Sequence, residues 1–317
     1  CLSNTGTAAC LLPVALGICA AAKIPASRQL MPLAFACGWG GIITMVGTPP
    51  NIIAVGAMTS AGLEPFGFFE FAWIGIPVSI AGMLYMMFVG KYLLPKVDLS
   101  ADQEIEQEIE AASTSSTKQI ISGVILALVI ITMAVGIPGV SLEIAAITGA
   151  LVCVLTGCLT EKQAYASIDW VTIFLFAGMM PVSNAMDKTG AGKLIAEWAV
   201  SLMGGSPTPI IMTSVLFIIS CTLTQFMSNT AAAALLAPVG VAISQQLGAS
   251  PKAVLMAIGV AASCAFATPV GTPPCTLVLG PGGYKFMDYV KVGVPLVILC
   301  FIVSIIVIPM VWPFFPG

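Results

Sequence analysis

No histidine occurs among the 317 residues, and the single arginine is Arg28. Without histidine there can be no Ser/His/Asp or Cys/His triad, no His-ligated zinc or haem, and no histidine pH switch. Charge is also scarce. Charged residues make up 8% of the chain and hydrophobic residues 58%, whereas a soluble domain carries roughly 25% charged residues. The mean hydropathy is +1.05. This composition excludes a soluble globular domain and a disordered chain. With 11 Lys+Arg and no basic block, it also excludes a nucleic-acid binder. The ten cysteines form no C-x-x-C pair. Most, such as Cys153, Cys264 and Cys300, lie inside apolar runs and read as small packing residues. Residue 1 is Cys, and an apolar stretch opens at once with no signal-peptide n-region. The expectation is a fragment whose upstream part is missing.

What is present is a series of long, continuous apolar runs. A membrane barrel would alternate apolar and polar residues, while a spanning helix needs about 20 apolar residues. The fold class expected is therefore an all-α polytopic membrane protein in a lipid bilayer. Residues 6–22 predict a short apolar helix. The apolar segment 31–60 is interrupted by Gly47-Thr48-Pro49-Pro50-Asn51, and two prolines in mid-membrane stop one helix and start another. A full span is expected over 68–94. The polar stretch 96–117, with its four glutamates at 104, 106, 108 and 110, predicts a short acidic surface helix and linker. Spans follow at 119–136, 142–160 and 169–186. Residues 187–204 predict an amphipathic helix in the interface. Two apolar helices, 208–227 and 231–247, are split by Ser228-Asn229-Thr230. The span 252–280 is broken at Gly271-Thr272-Pro273-Pro274, and a last span covers 287–314.

The strongest signal is a duplication. Ser3-Asn4-Thr5 recurs as Ser228-Asn229-Thr230, 225 residues later, and Gly47-Thr48-Pro49-Pro50 recurs as Gly271-Thr272-Pro273-Pro274, 224 residues later. The chain thus divides into 1–95, the later part of a first repeat; 96–117, an acidic cytoplasmic linker; and 118–317, a second repeat. If 208–247 is a re-entrant hairpin, the second broken helix runs opposite to the first. Inverted repeats with paired broken helices mark secondary transporters, with the binding site at the breaks. Lysine and arginine distribution agrees. Lys23, Arg28, Lys91, Lys96, Lys118, Lys162, Lys285 and Lys291 fall on one face, and Lys188, Lys193 and Lys252 on the other. Eight against three puts the first face in the cytoplasm and the C-terminus outside. Two full spans over 208–247 would leave six against five.

Each SNT and each Thr-Pro-Pro stands where a half-helix is expected to begin, with Ser, Asn or Thr as cap and Pro at the first position. Helix N-termini offer free N–H groups to an anion, and the ends of the preceding half-helices offer carbonyls to a hard cation. No Lys or Arg lies near any break, so an anion there would need a bound cation as counter-charge. That favours symport of anion and cation.

At these residues the chain resembles the divalent anion:sodium symporter family, carriers of dicarboxylates, citrate and sulfate. The resemblance covers the whole chain. It implies an inverted-repeat, elevator-type fold of the ion transporter superfamily, with two re-entrant hairpins, two broken helices and a homodimer. It also implies substrate contacts from Asn4, Thr5, Thr48, Asn229, Thr230 and Pro273. One Na+ site would use Ser3, Asn4 and Gly47; the other would use Thr224, Met227, Asn229 and Gly271. Cys275 stands where the first repeat has Asn51, so the two loops differ chemically.

The leading expectation is Na+-coupled import of a small divalent anion, a C4-dicarboxylate such as succinate, across a bacterial inner membrane. Na+ is then the co-transported ion, with no organic cofactor. The alternatives are H+-coupled or exchange transport of sulfate, citrate or another oxyanion, and an arsenite-type efflux permease. A channel fits capped, closed hairpins less well. An intramembrane enzyme lacks its histidine, and Asp169 and Glu143 lie near span ends.

Overall fold

The computed structural model describes residues 3–95, 116–135, 142–168 and 208–315, with isolated positions between 170 and 201. The expected linker helix over 96–117 and interfacial helix over 187–204 lie largely outside the described residues. Every regular element described is helical: α1 Asn4–Ala22, α2 Leu30–Gly41, α3 Pro49–Ser60, α4 Ala72–Leu93, α5 Ser116–Val135, α6 Leu142–Leu155, α7 Glu161–Ala166, α8 Pro209–Thr224, α9 Asn229–Leu247, α10 Pro251–Ala262, α11 Pro273–Leu279 and α12 Phe286–Val311. Four of these, α1, α4, α9 and α12, are long and apolar enough to cross a membrane. The apolar helices α8 and α10, of 16 and 12 residues, are too short for a bilayer core about 30 Å thick. Both expected breaks are present. Gly41 ends α2 and Pro49 starts α3. Ala262 ends α10 and Pro273 starts α11.

The chain forms two compact units, residues 1–102 with 174–317, and residues 103–173. In the smaller unit α5 packs on α6. Gly149 allows the approach, because a Cβ there would collide with Val129. A capping box between Thr160 and Gln163 starts α7.

The larger unit holds both breaks, and its packing repeats. Helix α1 lies against α2 and α11, and α9 lies against α10 and α3. In the same pattern α2 packs on α4 and α11, and α10 packs on α12 and α3. Each break is wedged onto a glycine of the following long helix. A Cβ on Gly75 of α4 would stand 2.6 Å from Ile43 Cα, and one on Gly293 of α12 would meet the Phe266 carbonyl. Phe266 also stacks edge-on against Phe35 and Trp39 of α2, at 5.3 and 6.2 Å between ring centroids. The irregular backbone at the breaks is therefore buried in protein, the condition under which non-helical chain is tolerated at membrane depth.

The two ends of this unit are tied differently. At one end Tyr284 Oη donates to Ser27 O at 2.7 Å and accepts from Met31 N–H at 2.8 Å. Ser27 Oγ in turn donates to Pro95 O at 3.1 Å, so Arg28, the end of α4 and Lys285 share that end. At the other end Glu70 accepts from Trp312 Nε1 at 2.8 Å and lies 3.5 Å from Lys252 Nζ. Arg28 and Lys285 thus lie at one end of this unit and Lys252 at the other. Met31 lies in the first turn of α2, where N–H groups have no helical acceptor. Tyr284→Phe strands that N–H in a buried site. We expect a loss of about 1–3 kcal/mol, read as a lower melting temperature of the purified protein in detergent.

Candidate functional site

All four motif-bearing helices begin at the expected residues. Ser3 precedes α1, Thr48 precedes α3, Ser228 precedes α9 and Thr272 precedes α11. Only Ser228 caps with its side chain, accepting from Ala231 N–H at 3.1 Å. The expected side-chain caps at Thr48 and Thr272 are not made, and the prolines explain why. An N-cap oxygen accepts from the second or third helical N–H. At both sites the first two helical residues are Pro, which have no N–H. The third N–H, of Asn51 or Cys275, instead bonds the carbonyl of Thr48 or Thr272 at 3.2 and 3.1 Å. These two helix starts therefore present threonine hydroxyls rather than the free N–H groups expected. Thr48 Oγ1 lies 3.4 Å from Ser263 Oγ, and Thr272 Oγ1 is buried with no partner.

In the first repeat Asn4 N–H donates to Gly47 O at 3.0 Å. Asn4 Oδ1 accepts from Thr5 N–H at 2.7 Å and from Thr5 Oγ1 at 3.3 Å. Gly47 has no room for a side chain, since a Cβ there would collide with the Gly41 carbonyl. Asn51 Nδ2 donates to the break carbonyls of Thr44 at 2.9 Å and Ile42 at 3.3 Å. The Asn51 Oδ1 and Thr44 Oγ1 oxygens are buried without partners.

The second repeat is more tightly knit. Thr224 Oγ1, fully buried, donates to Ala262 O at 2.8 Å and lies equally close to the Asn229 carboxamide. One end of that carboxamide faces three oxygens, Ala262 O at 3.1 Å, Gly271 O at 2.9 Å and Thr224 Oγ1 at 2.8 Å. The carbonyl that ends α10, a loop carbonyl ahead of α11, a hydroxyl and an amide thus converge on one point without a formal charge. Neutral oxygens of this kind suit a hard monovalent cation. Thr268 Oγ1 braces the loop, donating to Gln225 O at 2.7 Å and accepting from Gly271 N–H at 3.3 Å. Gln225 spans from Cys264 O to Ala267 N–H at 3.1 and 3.0 Å. Ser263, adjacent to Ala262, reaches Thr48, so the two motif clusters abut.

Of the anticipated residues, Asn4, Gly47, Thr48, Thr224, Asn229, Thr230 and Gly271 are buried, Thr5 and Met227 half-buried, and Ser3 and Pro273 exposed. Asn4 and Gly47 come together, as do Thr224, Asn229 and Gly271; Met227, Pro273 and Thr230 make no polar side-chain contact with these clusters that helps define them. The residues not anticipated are Thr44, Thr268, Gln225, Ser263 and the Ala262 carbonyl. A signal existed for two of them. Thr44 and Thr268 stand three residues before their glycines, so the duplicated motif is the longer Thr-x-Val-Gly-Thr-Pro-Pro. The difference between Asn51 and Cys275 is also real. Cys275 Sγ only approaches Ala265 O at 4.0 Å, where Asn51 clasps two carbonyls.

An all-helical, polytopic integral membrane protein whose paired helix breaks build buried clusters of neutral oxygens is the class these features define. The family model described as citrate transporter matches residues 1–249 and, in a second match, residues 135–315. The chain belongs to this family, in keeping with its resemblance to the divalent anion:sodium symporters. The uncharacterized transporter YfbS of Escherichia coli is 43% identical over 171 residues, 53% of this chain and 28% of that protein. An uncharacterized transporter of Haemophilus influenzae is 34% identical over 325 residues, 95% of this chain and 68% of its own length. The sodium-dependent dicarboxylate transporter SdcS of Staphylococcus saprophyticus is 24% identical over 344 residues, 97% of this chain and 65% of its own length. The chain thus spans 28% of the first of these relatives and about two thirds of the other two.

Proposed function

We propose that the protein imports a divalent anion, a C4-dicarboxylate, coupled to Na+. The observation that carries this reading is the cluster of Thr224, Asn229, Ala262 and Gly271, whose neutral oxygens adjoin the N-terminus of α9. A cation held there supplies the counter-charge that an anion at the helix tips needs, since no Lys, Arg, Asp or Glu occurs in 3–5, 44–51, 224–230 or 268–275. The same absence favours Na+ over H+, because proton coupling needs a group that titrates.

In this reading Thr224, Asn229 and Gly271, with the Met227 carbonyl, hold one Na+, and Ser3, Asn4 and Gly47 hold another. Asn4, Thr5, Thr48, Asn229, Thr230 and Pro273 face the anion. Helices α8 and α10 run in the same direction, with Ser220 bonded to Ile258 O and Thr224 to Ala262 O at 2.8 Å each. Helix α9 then returns to the start of α10. This supports a re-entrant hairpin, and with the recurrent packing it supports an inverted repeat. The larger unit, with both breaks, is the body that carries the ligand in an elevator-type cycle within a homodimer. The Lys23, Arg28 and Lys285 end faces the cytoplasm of a bacterial inner membrane, and the C-terminus lies outside. The printed name of SdcS, a sodium-dependent dicarboxylate transporter, supports both the ion and the substrate class.

The test is uptake of labelled succinate by the whole protein in liposomes, under an inward Na+ gradient, an inward H+ gradient, or neither. Uptake that requires Na+ is the expected result. Uptake driven by H+ alone, or by internal dicarboxylate without Na+, overturns the sodium assignment. Absence of succinate uptake under every gradient overturns the substrate.

A further inference from the structure

Five cations gather at the end of the larger unit where Tyr284 holds Ser27. Arg28 follows Ser27 and Lys285 follows Tyr284, so the bond from Tyr284 Oη to Ser27 O brings them to one place. Lys23 ends α1 just ahead of Arg28. Lys91 lies in the last turn of α4, and the Pro95 carbonyl just beyond it accepts from Ser27 Oγ. Lys291 adjoins Val292, whose carbonyl accepts from Tyr85 Oη of α4 at 2.7 Å. The four lysines are exposed and Arg28 is half-buried. The carboxylate beside them, Asp288, is occupied in accepting the Lys285 N–H at 2.8 Å. Among the described residues the only ion pair is Lys252 with Glu70, at the opposite end. Lys252 is thus neutralised within the protein, and the five cations here are left to their surroundings.

The lipid-facing helices fix the depth of this patch. Helices α4 and α12 are both long and apolar enough to cross a membrane. Exposed Met87 and Phe88 stand one turn before Lys91, and exposed Val294 and Ile298 stand one and two turns after Lys291. These apolar side chains belong in hydrocarbon, so the cations lie where both helices leave it, at headgroup level. Tyr92, 77% exposed, has the amphipathic ring that favours this level. Lys91 Nζ lies 5.0 Å from its ring centre. Exposed Phe286 and Met287 flank Lys285 in the same way.

We propose that this end of the protein binds anionic phospholipid. The headgroup phosphate meets Arg28 and the lysines, and the acyl chains lie along α4 and α12. Charge selects the partner. Basic clusters at headgroup depth attract anionic lipids, whereas a zwitterionic choline headgroup brings a cation of its own to be repelled. Arg28 supplies a forked donor matched to phosphate oxygens, and the lysines supply point charges. The patch draws on both repeats: Lys23, Arg28 and Lys91 come from the first, Lys285 and Lys291 from the second. A headgroup that spans Arg28 and Lys285 therefore fastens the two repeats where Tyr284 already joins them. This binding is independent of the ions carried, and its failure leaves the transport reading untouched.

The experiment is native mass spectrometry of the whole protein in detergent, with dioleoylphosphatidylglycerol or dioleoylphosphatidylcholine added, and a melting curve in each lipid. We expect phosphatidylglycerol to bind at least about tenfold tighter, the gain expected of a few surface cations, and to raise the melting temperature where phosphatidylcholine does not. The difference should shrink in about 0.5 M NaCl, which screens exposed charge. Replacing all five cations by Gln should remove the preference, and Lys252→Gln should keep it. The double variant Arg28→Gln with Lys285→Gln, which alters less of the protein, should weaken it. Equal affinity of the wild type for the two lipids overturns the proposal. So does a preference that survives the fivefold replacement, or one that Lys252→Gln removes. A preference that emerges only after the acids at 98, 102, 104, 106, 108 and 110 are replaced by amides also overturns it, since the patch is then covered by the chain's own acidic segment.

Discussion

Gly271→Ala is expected to cut Na+-driven transport by about a hundredfold. A Cβ at this position would stand 2.6 Å from Thr224 O and 2.8 Å from Ala265 Cβ. Neither neighbour is the end of a flexible side chain, so the loop itself must move. Overpacking of this kind costs about 1–3 kcal/mol, which a polytopic protein can survive. The functional cost is larger, because the Gly271 carbonyl is one of the oxygens gathered around Asn229. Shifting a binding group by even 1 Å is worth on the order of 100-fold in rate, and we expect a reduction of that size in Na+-driven uptake. Gly47→Ala, whose Cβ would meet the Gly41 carbonyl, is expected to do the same through the first repeat. Gly280→Ala is the control. It has open space around it and an ordinary helical backbone, φ −66° and ψ −59°, so uptake and melting temperature should stay near wild type. Wild-type uptake by Gly271→Ala would show that the close approach of the loop to α8 has no role.

The second large effect is expected from Thr224→Val, which keeps the shape of a fully buried side chain and removes its hydroxyl. The Ala262 carbonyl then loses its hydroxyl donor and the Asn229 carboxamide loses a neighbour. Stranding a buried polar group costs about 1–3 kcal/mol, or roughly a tenfold to hundredfold change in an equilibrium constant. We expect that change in the Na+ concentration for half-maximal uptake, with the rate at saturating Na+ largely kept. Thr224→Ser should restore the wild-type Na+ dependence. A changed succinate dependence with unchanged Na+ dependence would place Thr224 on the anion side instead.

The local grammar of this chain was largely legible in advance. Pro49 and Pro273 start helices because their fixed φ suits the first helical position, and the breaks fall where Gly-Thr-Pro-Pro recurs. The surroundings of the breaks were not legible. The glycines on α4 and α12 that receive them, Gly75 and Gly293, stand in runs apolar on every side. In a bilayer, lipid and protein neighbours are equally apolar, so no periodicity reveals which face meets protein. The capping expectation failed at Thr48 and Thr272 for a legible reason, the second proline, whose missing N–H frees the threonine hydroxyl. Thr268, Gln225 and Ser263 were missed because single polar residues in apolar runs ordinarily bond their own preceding turn. Ser263 and Gln225 do so here, to Gly259 O and Cys221 O, and like Thr268 they also reach other segments, which only the tertiary structure shows.

Each SNT helix rests on the later half of the other repeat's broken helix, α1 on α11 and α9 on α3. Each half makes the hydrogen bonds of its own cluster, but the helix that packs against its SNT helix comes from the other half. The helix that starts at Asn4 waits for Pro273, synthesised some 270 residues later, a delay of roughly 13–54 s at 5–20 residues per second. Throughout that interval the first half lacks the helix that covers its SNT tip. Biogenesis, as much as transport, thus depends on the repeats finding each other, and a pause or chaperone acting in that window would govern yield without touching the mature carrier.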